Sequence, residues 1–395
     1  MSDARDVAGT EVIVDVGPVA HGGFCVARHE GRAVFVRHSL PGERVRAVVT
    51  EGTSGSRYWR ADAVEVLDAS PDRVIAPCPY AAPGRCGGCD WQHASLPAQR
   101  RLKAAVVSEQ LARLAGLEMA VIVEPVPGDH DGLYWRTRVR FAVDESGRAG
   151  LRRHRSHHVE PIEDCLIAHP GIAARDVLAA QWASDEVLVA VSASGERAVH
   201  ADAEPVSGPA PLTERAAGRV WQVRSDGFWQ VHPGAADALC DAVLDALVPE
   251  AGESVLDLYA GVGLFAGAIG TRVGPAGSVV AMESDRQAVA DARENLAELP
   301  WVTVVGGRVD RRLRERPVDL VVLDPPRSGA GASVVRRIAR CEPRAVAYVA
   351  CDPAALARDV ATFDASGYRL AGLRAFDLFP MTHHVECVAL LQPAE

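Results

Sequence analysis

SVLDLYAGVGLFAGAIG, Ser254 to Gly270, runs from an apolar pentapeptide through a glycine turn into a second apolar stretch. It reads as a buried strand, a tight turn and a helix, the arrangement by which a nucleotide-like cofactor is cradled. Working outward, apolar strands are expected at Ser254–Leu258, Ser278–Met282, Val302–Val305, Val318–Leu323 and Ala345–Ala350, with helical stretches between them. From about Arg219 onward this predicts an open α/β domain with a mostly parallel sheet and ligands gathered at the strands' carboxyl ends. HHVECVALL, His383 to Leu391, reads as the last strand of that sheet.

Four groups lie on or just beyond those strand ends. Gly261 and Gly263 occupy the turn after Asp257, Leu258 and Tyr259. Glu283 stands 26 residues beyond Asp257 at the tip of the next strand, where an acid can accept hydrogen bonds from ribose hydroxyls. The bland alternative for Glu283 is a helix cap, a task that Ser284 and Asp285 could also perform. The tetrad Asp324-Pro325-Pro326-Arg327 holds a carboxylate on a stiff turn. Amino-group methyltransferases usually place an aromatic residue after the two prolines, so Arg327 speaks against an exocyclic nitrogen as target. Cys351, in VACDPAALARD, closes an apolar strand. Alone it would read as a small core residue; opposite a cofactor turn, with Glu386 downstream, it suggests a covalent nucleophile.

Upstream of Arg219 the chain changes character. Residues 1–68 alternate apolar and polar in short runs between glycine turns, which predicts a small antiparallel barrel. Residues 69–72 form a linker. CPYAAPGRCGGCDWQH, Cys78 to His93, is a turn-rich cysteine knuckle, and a helix follows with Ser95 as its cap, Pro97 in its first turn and an apolar stripe of Leu102, Val106, Leu111 and Leu114. Cys78, Cys86, Cys89 and the distant Cys165 are four candidate ligands for an iron–sulfur cluster or a zinc ion. Cys25, Cys240, Cys341 and Cys387 sit in apolar runs and read as core. Tyr134 to Leu151 reads as a basic hairpin; residues 171 to about 218 carry little legible pattern.

Composition narrows the classes. At 395 residues the chain is long enough for two or three domains, and 48% hydrophobic with 24% charged residues describes a globular protein. No run of about 18 apolar residues is present and the amino terminus carries acids where a secretory signal would be apolar, so no membrane partner and a cytoplasmic location are expected. Thiols stay reduced there, and nine cysteines point to metal or catalysis rather than to disulfides. The net charge of −10 weighs against nucleic acid, but Arg136 to His158 holds seven Arg, two acids and three His, a local +5.

With these residues assembled, the chain resembles the S-adenosylmethionine-dependent RNA uracil-C5 methyltransferases, particularly the iron–sulfur branch that acts on 23S rRNA. GRAVFVRHSLPGERV, Gly31 to Val45, looks like the TRAM barrel, an OB-type RNA-binding module; FWQVHP, Phe228 to Pro233, resembles an aromatic–Gln–Val signature; DLYAGVGLF, the Asp324 tetrad, VACDPAALARD and HHVEC follow in order. The resemblance implies a multidomain protein: a TRAM-like OB barrel over 1–68, a central α+β cysteine-cluster and RNA-binding domain over 69–218, and a Rossmann-like methyltransferase domain over 219–395. It implies Cys351 as nucleophile and Glu386 as base. S-Adenosylmethionine would lie against Gln230, Tyr259, Gly261, Gly263, Glu283 and Asp324, and a [4Fe–4S] cluster, with zinc as alternative, on Cys78, Cys86, Cys89 and Cys165. The expected partner is RNA, rRNA before tRNA, met by a monomer.

This sequence departs from the family pattern in places. Seven residues rather than five separate Cys78 from Cys86, Leu264 replaces a polar residue, Arg308 stands where Asp or Asn is usual, and His232 and Asp352 stand where Asn is common. Two other readings compete: a non-catalytic RNA-binding or assembly protein that kept the fold, and a cytosine-C5 methyltransferase, whose nucleophile usually follows Pro or Thr where Ala350 stands here.

Overall fold

The computed structural model describes residues 5–172 and 174–394. Residues 1–4 of the segment expected as barrel, residue 173 of the central segment and residue 395 at the end of the last one lie outside the described residues.

Five strands, Glu11–Val19, Cys25–His29, Arg32–Arg37, Arg44–Glu51 and Tyr58–Asp68, close into a barrel. Along the first, Val12, Val14 and Val16 point inward and their neighbours outward, as the two-residue period of a strand requires. The barrel is not wholly antiparallel as expected: Arg32–Arg37 and Tyr58–Asp68 run parallel. An odd number of strands cannot alternate direction all the way round, so one parallel pair is forced. Trp91, Ala94, Ala98 and Val106 from the next segment join the barrel's core.

The middle of the chain builds a six-stranded antiparallel sheet in the order Glu204–Ser207, Arg197–Ala201, Glu186–Val191, Arg138–Val143, Ala149–Arg152, Val159–Pro161. The basic hairpin is thus present as Arg138–Val143 with Ala149–Arg152. The stretch after 171, illegible as sequence, supplies three of the six strands. The helix after the knuckle spans Leu96–Ala115; Ser95 sits at its cap position, yet its side chain makes no capping bond. That helix lies against Pro353–Asp364, and Val107 and Leu111 enter the same core as Val346 and Leu356. The segment between 69 and 218 therefore contributes to three packing units.

The carboxyl-terminal sheet has eight strands in the order Val302–Gly306, Ser278–Glu283, Ser254–Leu258, Leu320–Leu323, Ala345–Ala350, Glu386–Pro393, Tyr368–Asp377, Val123–Pro125. Its first five are parallel, and Ala345–Ala350 is buried at every residue, as a strand covered on both faces should be. Glu386–Pro393 runs antiparallel between Ala345–Ala350 and Tyr368–Asp377. Two of these strands had no sequence signal: Val123–Pro125 is too short, and Tyr368–Asp377 is broken by an irregularity between Leu370 and Gly372. Among the described residues no helix is long and apolar enough to cross a membrane.

Candidate active site

Register decides the site. Ala350 lies opposite Cys387 on the antiparallel neighbour, so one step further along the sheet Cys351 stands opposite Glu386. Directly opposed residues of such a pair sit about 4.5–5.5 Å apart at their Cα atoms. Leu323 pairs with both Leu258 and Tyr348, which brings Asp324 to the edge between Tyr259 and Cys351. Along the carboxyl edge the order is therefore Glu283, Tyr259, Asp324, Cys351, Glu386.

The cofactor side of this edge is acidic and tightly turned. Tyr259, Gly261 and Gly263 all adopt positive φ, 66°, 54° and 96°. A Cβ on Gly263 would meet Leu296 Cδ1 at 2.7 Å, so glycine is required there by contact as well as by conformation. At Gly261 the same position opens onto free space, so a ligand can approach the backbone. The Gly261 N–H donates to Glu283 Oε2 at 2.9 Å, while Glu283 Oε1 accepts from the N–H groups of Ser284 and Asp285. Asp285, not Glu283, caps the following helix. Asp257 is fully buried; Oδ2 accepts from Ala266 N–H at 2.7 Å and Oδ1 has no partner. Burial, with Asp324 and Glu283 nearby, pushes its carboxyl up to about 7. An unpaired acceptor among three acids fits a cationic ligand bearing N–H and O–H donors, and S-adenosylmethionine is one. Gln230 is half-buried in an irregular segment, and its neighbour Trp229 packs into the core that holds Ala260 and Val262. Arg308 is exposed and grips Asp310 at 3.0 and 2.8 Å, so an acid is present two residues after the departure.

On the other side lies a cavity of about 150 Å³ lined by His21, Arg327, Cys351, Asp352, His383 and His384, among others. Burial pushes the Cys351 thiol up to about 11, with Glu386, Asp324 and Asp352 adding and Arg327 opposing. Glu386 is buried, and burial with the neighbouring Asp324 carboxyl raises it well above the carboxylate range, against Arg327. Asp324 is raised too, by burial. His384 is held down to about 3 by burial, His383 and Arg327, and as a neutral ring its Nε2 accepts from Arg327 Nη2 at 3.3 Å. Of these groups the sequence pointed to Cys351, Glu386 and Asp324. It missed His21, His383 and the buried Asp90, whose Oδ2 bonds His383 Nδ1 at 2.6 Å. No local signal marks them, since their contacts join residues 331 and 293 positions apart.

The four candidate ligand cysteines, although 87 residues apart at the extremes, line one small cavity. Sulfur atoms accept hydrogen bonds there: Gln92 Nε2 donates to Cys89 Sγ at 3.2 Å and Gly88 N–H to Cys86 Sγ at 3.4 Å. Burial raises the thiols of Cys86, Cys89 and Cys165. Among the described residues, no three His, Cys, Asp or Glu side chains are grouped so as to hold a metal ion. Cys25, Cys240, Cys341 and Cys387 are buried core residues, as read.

Comparison with known proteins agrees with this layout. Residues 308–394 match the family described as tRNA (Uracil-5-)-methyltransferase, residues 7–64 the TRAM domain and residues 234–345 the methyltransferase small domain. A Streptomyces avermitilis protein described as an RNA methyltransferase is 53% identical over 98% of this chain and 99% of its own. A Streptomyces coelicolor protein with the same description is 50% identical over 100% of this chain and 95% of its own. The fold is similar to that of the Pyrococcus abyssi tRNA (uracil-54, C5)-methyltransferase solved with S-adenosyl-L-homocysteine: TM-score 0.71, 22% identity, 96% of this chain and 99% of that one.

Proposed function

The chain belongs to the S-adenosylmethionine-dependent RNA uracil-C5 methyltransferases, and from that membership we propose that it methylates C5 of a uridine in 23S rRNA through a covalent bond between Cys351 and C6. The observation that carries this reading is the register that sets Cys351 opposite Glu386, with Asp324 on the adjoining strand end.

S-Adenosylmethionine, bound against Gln230, Tyr259, Gly261, Gly263, Glu283 and Asp324, supplies an electrophilic methyl group. Uracil C5 is too weak a nucleophile without help, and Cys351 provides it. Cys351 gives its proton to water, and as the thiolate Sγ bonds to C6 the C5–C6 electron pair moves toward C5 and O4. After C5 has taken the methyl, the Glu386 carboxylate removes the C5 proton, the C5–C6 double bond re-forms and the C6–Sγ bond breaks. Burial and the neighbouring Asp324 raise Glu386 above the ordinary carboxylate range, which makes its carboxylate a stronger proton acceptor. Arg327, beside both groups, favours their anionic forms, the thiolate that adds and the carboxylate that takes the proton. A cavity of about 150 Å³ admits a base only when it leaves its stack, so the target is an unpaired or flipped uridine.

Glu386→Gln tests the assignment. Addition and methylation proceed while elimination stalls, so a denaturation-resistant RNA–protein band accumulates; rapid turnover with no such band would move the base role elsewhere. Methyl transfer to RNA in vitro also excludes a purely structural RNA-binding role. Mapping 5-methyluridine by mass spectrometry, in cells with and without the gene, identifies the RNA. A tRNA product would place the chain with the Pyrococcus enzyme in substrate as well as fold.

We propose that Cys78, Cys86, Cys89 and Cys165, which line one cavity, are the ligands of a [4Fe–4S] cluster. A single zinc on the same four cysteines is the alternative, with the sulfurs drawn to about 2.3 Å from one ion. Hydrogen bonds to two of the sulfurs are the kind that tune such clusters. Anaerobic purification should give a brown protein with about four irons per chain; stoichiometric zinc without iron would overturn the assignment.

A further inference from the structure

The barrel does more than flank the catalytic domain. Its turn Ala20–Gly23 lies between the strands Glu11–Val19 and Cys25–His29 and is pinned from three sides. Ala20 N–H donates to Phe24 O at 2.7 Å, and Gly23 N–H to Ala20 O at 3.3 Å. Trp91 Nε1 donates to Gly23 O at 3.2 Å. Gly22 and Gly23 have φ of 94° and 84°, and a Cβ on Gly23 would come within 2.9 Å of the His383 Cβ. A turn held this way has little freedom, and its His21 side chain reaches the catalytic cavity.

There His21 Nε2 meets Asp352 Oδ2 at 3.1 Å. The other oxygen, Oδ1, accepts from Ala355 N–H at 2.7 Å and caps the helix Pro353–Asp364. One carboxylate thus joins the barrel to the first turn of the helix that follows the nucleophile. Asp352 is one peptide away from Cys351, and this chain carries a charge there. A bare carboxylate at that place works against a thiolate, and a hydrogen-bond donor on Oδ2 draws part of that charge away.

We propose that His21 is a positioning residue for methyl transfer: a barrel side chain that, through Asp352, orients Cys351 and favours its thiolate. The inference rests on the nucleophile role proposed above for Cys351. It gives the TRAM barrel a part in the chemistry beside its expected part in gripping RNA.

The test uses the full-length protein and two separate readouts. The first is the rate at which iodoacetamide alkylates Cys351, followed by peptide mass spectrometry, which needs no RNA. The second is turnover on RNA extracted from cells lacking the gene, with RNA affinity measured alongside. His21→Ala should slow alkylation and kcat by about tenfold, equivalent to about one pKa unit in the thiol, and leave RNA affinity unchanged. His21→Gln, which keeps an N–H donor near the place of Nε2, should recover most of the loss. In an Asp352→Asn background the His21→Ala change should have little further effect, because the charge it offsets is gone. Weaker RNA binding with normal alkylation would overturn the proposal and make His21 an RNA contact. Unchanged rates in His21→Ala, or full additivity with Asp352→Asn, would overturn it as well. Turnover by Cys351→Ala would instead sink the nucleophile reading beneath it, so the two failures are distinct.

Discussion

Cys351 shows how one residue draws its meaning from neighbours that are distant in sequence. Its thiol is pushed up to about 11, mainly by burial and then by Glu386, so the free protein holds almost none of the reactive thiolate at neutral pH. Below that value the thiolate fraction grows tenfold per pH unit. The expected outcome is that kcat/KM climbs with a slope near one between about pH 7 and 9. A flat profile over that range would show that ionisation of the free thiol does not govern capture of RNA. Cys351→Ala should lose more than about 10³ in rate, with S-adenosylmethionine binding retained in calorimetry, because the sulfur acts only in the chemical steps. The proposed nucleophile and base were legible in the sequence because VACDP and HHVEC are local signatures. His21 and His383 were not: their significance comes from contacts across 331 residues to Asp352 and 293 residues to Asp90.

Between elements, the clearest constraint is a buried charge pair. Lys103, on the helix Leu96–Ala115, is fully buried; its Nζ bonds Asp377 Oδ1 at 2.5 Å at the end of Tyr368–Asp377 and Phe379 O at 3.0 Å. The helix is thereby fixed to the strand next to the one that carries Glu386. Burial lowers the lysine against the pull of Asp377, which marks a pair whose members depend on each other. Lys103→Met should cost about 3–5 kcal/mol in denaturant unfolding, since it strands a buried carboxylate. Lys103→Met with Asp377→Leu should recover most of that loss, because an apolar pair of similar volume needs no compensation. Equal destabilisation in single and double variants would show that packing, not charge, is at stake. Nothing in the helix's own residues announces this partner. Lys103 reads as an ordinary solvent-facing lysine until the strand it meets is known.

At the scale of the molecule, the barrel, the knuckle and the catalytic sheet are interlocked. Trp91 fills the barrel's core from outside its own strands and bonds Gly23 O, while the N–H groups of Asp90 and Trp91 both donate to Met381 O. Arg37 of the barrel lies 3.5 Å from Asp90. The knuckle therefore sits between the RNA-binding barrel and the loop leading to Glu386. Calorimetry should show the barrel and the catalytic domain unfolding together. Trp91→Ala should lower stability by about 3–5 kcal/mol and split the transition in two, because it empties the shared core. A single unshifted transition would mean the barrel melts with the catalytic domain without this anchor.

The sequence by itself determined the elements whose signals are local: the glycine turn after Ser254–Leu258, the parallel strands, the period-two alternation of the barrel, and the placing of the four cysteines and of the proposed catalytic pair in short motifs. Apolar period and glycine placement act over a few residues, so they can be read without a fold. Tertiary structure alone decided that Cys351 faces Glu386, that Val123–Pro125 closes the catalytic sheet, and that His21 and Asp90 border the cavity or its histidines. Those are matters of register and docking, and a shift of one residue in an antiparallel pair would turn every side chain to the other face without altering a single local propensity.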